Sequence, residues 1–139
     1  EIDIPNITEL EGVVINKAEL ELTLASVEGD QPSIFKPVEQ LLVSRPNDEG
    51  NLAVIDDVLF AGSDLSSLFG GIVTERGNGQ PRKYTMNLSA HLQGMIEGRE
   101  GTTLTITPFQ PAERGSRSVV YGPTHPTYGM KLKISYTKL

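Results

Sequence analysis

An antiparallel β-sandwich with one short α-helix near residues 89–97 is the fold this sequence predicts. Three observations predict it. From Met130 to Thr137 the chain alternates: Met130, Leu132, Ile134 and Tyr136 fall on one face, Lys131, Lys133, Ser135 and Thr137 on the other. Successive side chains of a strand take opposite faces, so this is a half-buried strand with one apolar and one largely cationic face. The same alternation runs through Ala18-Glu-Leu-Glu-Leu-Thr-Leu24 near the other end. Between them, turn-forming clusters recur about every ten residues, the spacing of short sandwich strands.

In chain order, Ile2 to Ile7 is a short extended lead-in. Val13 to Leu24 is one long strand, with Ala18, Leu20, Leu22 and Leu24 inward and Lys17, Glu19, Glu21 and Thr23 outward. Glu28 to Ser33 is a polar loop. Val38 to Ser44 is a strand with Leu41, Leu42 and Val43 at its centre. Pro46-Asn-Asp-Glu-Gly-Asn51 has the composition of a turn and leads to a short strand, Leu52 to Ile55. Asp56 to Leu68 shows no clean period. Gly70-Gly71 precedes the strand Ile72 to Glu75, which pairs with Lys83 to Leu88 across the turn Gly77-Asn-Gly-Gln-Pro81. Ser89 caps the helix, Leu92, Met95 and Ile96 line one face of it, and Gly98 stands at its C-terminal cap position. Thr102 to Thr107 is a strand, Pro108 to Gly115 a loop, Arg117 to Tyr121 a strand, and Gly122 to Gly129 a loop before the final strand. The inner faces should include Leu20, Leu22, Leu24, Leu42, Leu104, Ile106, Val119, Leu132, Ile134 and Tyr136.

Composition narrows the chemistry. At 139 residues the chain has the length of one domain. It has no cysteine, which excludes disulfides, thiolate metal sites and cysteine nucleophiles. The net charge of −6 argues against nucleic acid, which needs a concentrated basic face; Arg114, Arg117, Lys131, Lys133 and Lys138 form only a thin cluster. No apolar run is long enough to span a membrane.

Three segments together resemble the C-terminal half of domain-of-unknown-function family 4270. They are Ile15-Asn-Lys-Ala-Glu-Leu-Glu-Leu22, Tyr84-Thr-Met-Asn-Leu-Ser-Ala-His-Leu-Gln93, and Ser118-Val-Val-Tyr-Gly122 followed by Met130-Lys-Leu-Lys-Ile-Ser-Tyr-Thr137. The first segment is also similar to the strand Ile-x-x-Ala-x-Leu-x-Leu that opens a jelly roll in surface β-sandwich modules. The resemblance implies a jelly-roll-like sandwich from a secreted bacterial protein of the outer cell surface, in a family of lipoproteins. It brings no catalytic residues. The expectation is that Glu1 is not a native start and that residues 1–139 form a single domain. That domain would be a C-terminal fragment of a longer exported protein whose parent is lipid-anchored.

No catalytic, cofactor or metal set stands out. His91 and His125 lack the neighbours of a zinc site. Asp48-Glu49 and Asp56-Asp57 are acidic pairs of the kind that calcium or a glycosidase uses, but Asn47 to Asn51 lacks the alternating ligands of a calcium loop. Ser66-Ser67 and Ser116 do not sit in a nucleophile elbow. Aromatic residues are the better candidates: Tyr128, Tyr121 and Phe109, with Phe35, lie in or beside loops where a sugar ring could stack. The sequence therefore predicts a non-catalytic module, structural or binding a surface protein or polymer. The alternatives are a glycan-binding module using loops 108–115 and 122–129, and a hydrolase using an acidic pair.

Overall fold

The computed structural model describes residues 1–25, 37–109 and 118–139. The expected loop over 28–33, Phe35, Arg114, Ser116, Arg117 and all but the first two residues of the expected loop 108–115 lie outside the described residues. In chain order the strands are β1 (Ile2–Asp3), β2 (Val13–Thr23), β3 (Leu41–Pro46), β4 (Leu52–Val54), β5 (Gly70–Thr74), β6 (Lys83–Asn87), β7 (Thr103–Pro108) and β8 (Lys131–Lys138). The helices are α1 (Asp56–Ala61), α2 (Leu65–Leu68) and α3 (Ser89–Ile96), with single 3-10 turns at Ile7–Leu10 and Gly62–Asp64. The strands form two four-stranded antiparallel sheets, ordered β1-β7-β3-β4 and β5-β6-β2-β8, and the architecture is a β-sandwich. No helix among the described residues is long and apolar enough to cross a membrane.

One core joins the sheets. Register places Leu20 beside Met86 and Leu132, Leu22 beside Tyr84, and Ala18 beside Ile134, so these point inward from the second sheet. Leu41, Val43 and Leu104 are their buried counterparts from the first sheet. Tyr84 is wholly buried, yet its hydroxyl donates to the Val38 carbonyl oxygen at 2.6 Å and lies 2.7 Å from Ser118 Oγ. The ring contributes its full apolar burial while its polar tip stays satisfied.

Several expectations need correction. Asp56 to Leu68 is helical, as α1, a 3-10 turn and α2; each piece is two turns or less, too short to display a period. Ile2 to Ile7 forms only a two-residue strand, which then enters the 3-10 turn. In β3 the core residues are Leu41 and Val43, whereas Leu42 pairs with Thr107 on the other face and is half-buried. An unbroken apolar run hides the register that alternation would set. Val119 is 42% exposed and Tyr136 43% exposed. Tyr136 keeps the inward parity of Ile134, but it pairs with Ile15, outside the span of β2 that pairs with β6. Of the strand expected at 117–121, the described residues 118–121 form a single bridge at the end of β2: Tyr121 N–H donates to Thr23 O at 3.0 Å and Ala25 N–H to Val119 O at 2.7 Å.

Helix α3 starts and ends where expected, but Ser89 does not cap it. Ser89 is the first helical residue, and the cap comes from elsewhere: Asp57 accepts Ala90 N–H through Oδ1 and His91 N–H through Oδ2, both at 2.9 Å. A carboxylate there satisfies two orphan donors and complements the helix dipole. Ser89 is thereby free to accept Ala18 N–H at 2.9 Å, while Leu88 N–H donates to Ala18 O. One turn on, Gln93 Oε1 accepts Ile15 N–H at 2.7 Å and Gln93 Nε2 donates to Val13 O at 3.4 Å. β6 ends at Asn87, so the first half of β2 has no strand on that side; α3 supplies its hydrogen bonds with side chains one helical turn apart.

The two flanks of the sandwich differ. On the β5 side the sheets touch: Gln40 bridges Ile72, and Val73 N–H donates to Glu39 O at 3.0 Å. Gly71 makes that approach possible, with φ of 76° and a carbonyl, Leu41 O, where a methyl group would have to sit. On the opposite flank, between β1 and β8, the sheets part. A cleft of about 350 Å³ opens there over Leu20 and Leu104, walled by Ile2, Ile4, Pro123 and Met130.

Candidate functional site

The outer face of the second sheet carries the chemistry. Along β2, Glu19, Glu21 and Thr23 point away from the core. Exposed carboxylates belong on such a face, yet Glu21 is only 4% exposed and Thr23 only 1%. Register explains part of the cover. Lys133 of β8 stands opposite Glu19 and Lys83 of β6 opposite Thr23, so both flank Glu21 diagonally. Both ammonium groups donate to Glu21 Oε2 at 3.2 Å. Arg76, from the turn after β5, donates through Nη2 to Glu21 Oε1 at 3.0 Å and to Thr23 Oγ1 at 2.6 Å. Burial alone would raise the Glu21 pKa; the bonds from Lys133 and Lys83, and their charges, outweigh it and hold the carboxyl at about 2.

The loop 122–129 completes the site. The bridge at Val120 carries Tyr121 to the end of β2, and the chain then turns through Pro123, Thr124 and His125 before returning as β8. His125 Nδ1 accepts two backbone N–H groups, from Thr127 at 3.2 Å and Tyr128 at 2.9 Å, so its ring ties the turn. The proton of the neutral imidazole therefore sits on Nε2. Gly129 is buried inside the turn; a methyl group there would lie 2.8 Å from His125 O and 2.9 Å from Pro123 O. The result is a ring cluster: Tyr121 and His125 have centroids 4.2 Å apart, Tyr121 and Tyr128 5.7 Å, and His125 and Tyr128 5.9 Å. All three are half-buried. The Arg76 guanidinium lies 5.7 Å from the Tyr128 centroid, within cation–π range, and so joins the rings to Glu21.

The structure thus brings together Tyr121 and Tyr128, two of the four aromatic candidates, of which Phe35 lies outside the described residues. Phe109 is 41% exposed but lies at the end of β7, where its N–H donates to Gln40 O, and it makes no ring contact among the described residues. His125 and Arg76 were missed as members. The spacing 121, 125, 128 was a signal for His125, since it returns three rings to one side of a compact turn; Arg76 and Glu21 come from distant parts of the chain and had none.

The remaining candidates have other employment. Both oxygens of Asp57 are engaged on α3. Asp48 and Glu49 are exposed in a turn that Asn47 Oδ1 organises by accepting the N–H groups of Glu49 and Asn51. Ser66 and Ser67 are exposed on α2. His91 is buried in α3, and burial lowers its pKa, holding it neutral. Among the described residues no group of three or more histidines and carboxylates converges as metal ligands would. Comparison with known proteins finds no family model, curated protein or solved structure that matches this chain.

Proposed function

We propose that this chain is a non-catalytic binding module of an exported bacterial cell-surface protein, and that it takes a polymer on the outer face of its second sheet. One observation carries the binding reading. Two tyrosines singled out as ligand contacts converge with His125 and Arg76 on one half-buried, rigidly tied surface. The surface setting rests on the three-segment resemblance. A carbohydrate is the ligand class that suits the cluster: ring faces take the C–H face of a pyranose, and the guanidinium and ammonium groups take its oxygens. Glu21, held at about 2 by its cations, is a poor proton donor at neutral pH, which speaks against its use as a general acid.

Glycan-array binding with wild type, Tyr128→Ala and Phe109→Ala tests this. Wild type should bind a polysaccharide saturably, Tyr128→Ala should lose roughly tenfold in affinity, and Phe109→Ala should bind as wild type does. Absence of saturable binding by wild type, an unaffected Tyr128→Ala, or turnover of the bound polymer would overturn the reading.

A further inference from the structure

The charge around the rings specifies the ligand further. The chain as a whole is acidic, with 18 carboxylates against 12 lysines and arginines. The face beneath the ring cluster reverses that balance. Its strands β6, β2 and β8 present Lys17, Lys83 and Lys133, with Lys131 standing directly opposite Glu21, and Arg76 reaches in from the turn after β5. Against these five cations the face holds, among the described residues, Glu19, paired with Lys17 at 2.8 Å, and Glu21. Glu75 is paired separately, 3.8 Å from Arg82.

Glu21 neutralises one of the three cations that it organises. Lys133 remains 59% exposed, with two of its three donors making no bond to a described residue. Arg76 makes all its bonds to described residues through Nη2, which leaves Nη1 without a bond to any of them. Cations held by a buried carboxylate are preorganised: their side chains are already ordered, so a second anion does not bear that entropy cost. A carboxylate on a sugar ring stacked at Tyr128 would meet Arg76 and Lys133 together.

We infer that the ligand of this face is an acidic polysaccharide, a polymer of uronic acid residues; this rests on the binding reading above and adds its charge. Ring stacking selects a saccharide over a flexible acidic peptide, and the cation excess selects a charged saccharide over a neutral one.

Affinity electrophoresis of the whole chain against polygalacturonate, its fully methyl-esterified form, neutral pullulan and dextran sulfate separates the alternatives. Polygalacturonate should bind, the ester should bind roughly tenfold more weakly, and added salt should weaken only the acid form. Lys133→Gln and Lys131→Gln, both at exposed positions, should each reduce polygalacturonate binding by roughly two- to fivefold. The melting temperature of Lys131→Gln should stay near that of wild type, because Lys131 makes no bond to Glu21 among the described residues, and this variant keeps the test independent of folding; Lys133→Gln, which removes a bond to Glu21, should melt lower. Equal binding of acid and ester, or preference for pullulan, overturns the charge inference and leaves the polymer reading standing. Binding to dextran sulfate as tight as to polygalacturonate, or binding that survives Tyr128→Ala, marks a generic polyanion surface and overturns the inference. No binding to any of the four polymers overturns the inference, and the glycan array above then decides the polymer reading by itself.

Discussion

Glu21 gives up its hydration to sit among Lys83, Lys133 and Arg76, so its ionisation carries folding free energy. Its pKa falls from 4.5 to about 2 on folding. A depressed carboxyl stabilises the fold above its unfolded pKa and loses that contribution as pH falls through the folded value. The contribution, about 3 kcal/mol at most, is therefore intact at neutral pH and lost between about pH 5 and pH 2. Thermal melts across that range should show wild type losing stability and Glu21→Gln changing less. At neutral pH Glu21→Gln should be destabilised by about 3 kcal/mol, because three cations then face one another. Gly129→Ala tests the loop directly: its methyl group would press on two carbonyl oxygens, so ring stacking, read as tyrosine near-ultraviolet circular dichroism, should fall even where the sandwich stays folded. At this scale the sequence was half legible. Tyr121 and Tyr128 could be picked as loop aromatics, but Glu21 and Thr23 looked like ordinary solvent-facing residues, because their cover comes from residues more than fifty positions away.

Elements with a long period were readable and short ones were not. β2 and β8 show alternation over enough residues to declare themselves, and α3 shows its apolar face over two turns. α1 and α2 have six and four residues, and no periodicity can be read from so few. Their role is nonetheless specific, since α1 delivers Asp57 to the start of α3. Asp57→Ala should cost about 1–2 kcal/mol in chemical denaturation, the value of a helix cap, and Asp57→Asn, which keeps one acceptor, should cost less. The neighbouring Phe60 gives the contrast: it is 74% exposed, and Phe60→Ser should shift stability by no more than about 0.5 kcal/mol. Gly71→Ala should be strongly destabilising, because it meets both a positive φ and the Leu41 carbonyl where the sheets join.

The whole molecule is held by residues from both sheets in one cluster, with Leu104, Leu22, Tyr84 and Met86 among the most enclosed. Leu104→Ala should therefore cost about 2–5 kcal/mol and lower the midpoint of far-ultraviolet and tyrosine signals together; separate transitions would show that the sheets unfold independently. Class and layer count were legible from alternation, but strand order was not. Nothing local says that β1 joins β7 while β2 joins β8, or that β6 gives way to a helix beside β2. That substitution has a consequence for amide hydrogen exchange. The N–H groups of Ile15 and Ala18 belong to a strand, yet their acceptors, Gln93 and Ser89, ride on α3. Their protection will follow the opening of the helix and not of the ladder. Loosening α3 at Asp57 should thus release two deuterium-labelled positions in β2 while Leu20 and Leu22, bonded strand to strand, stay closed.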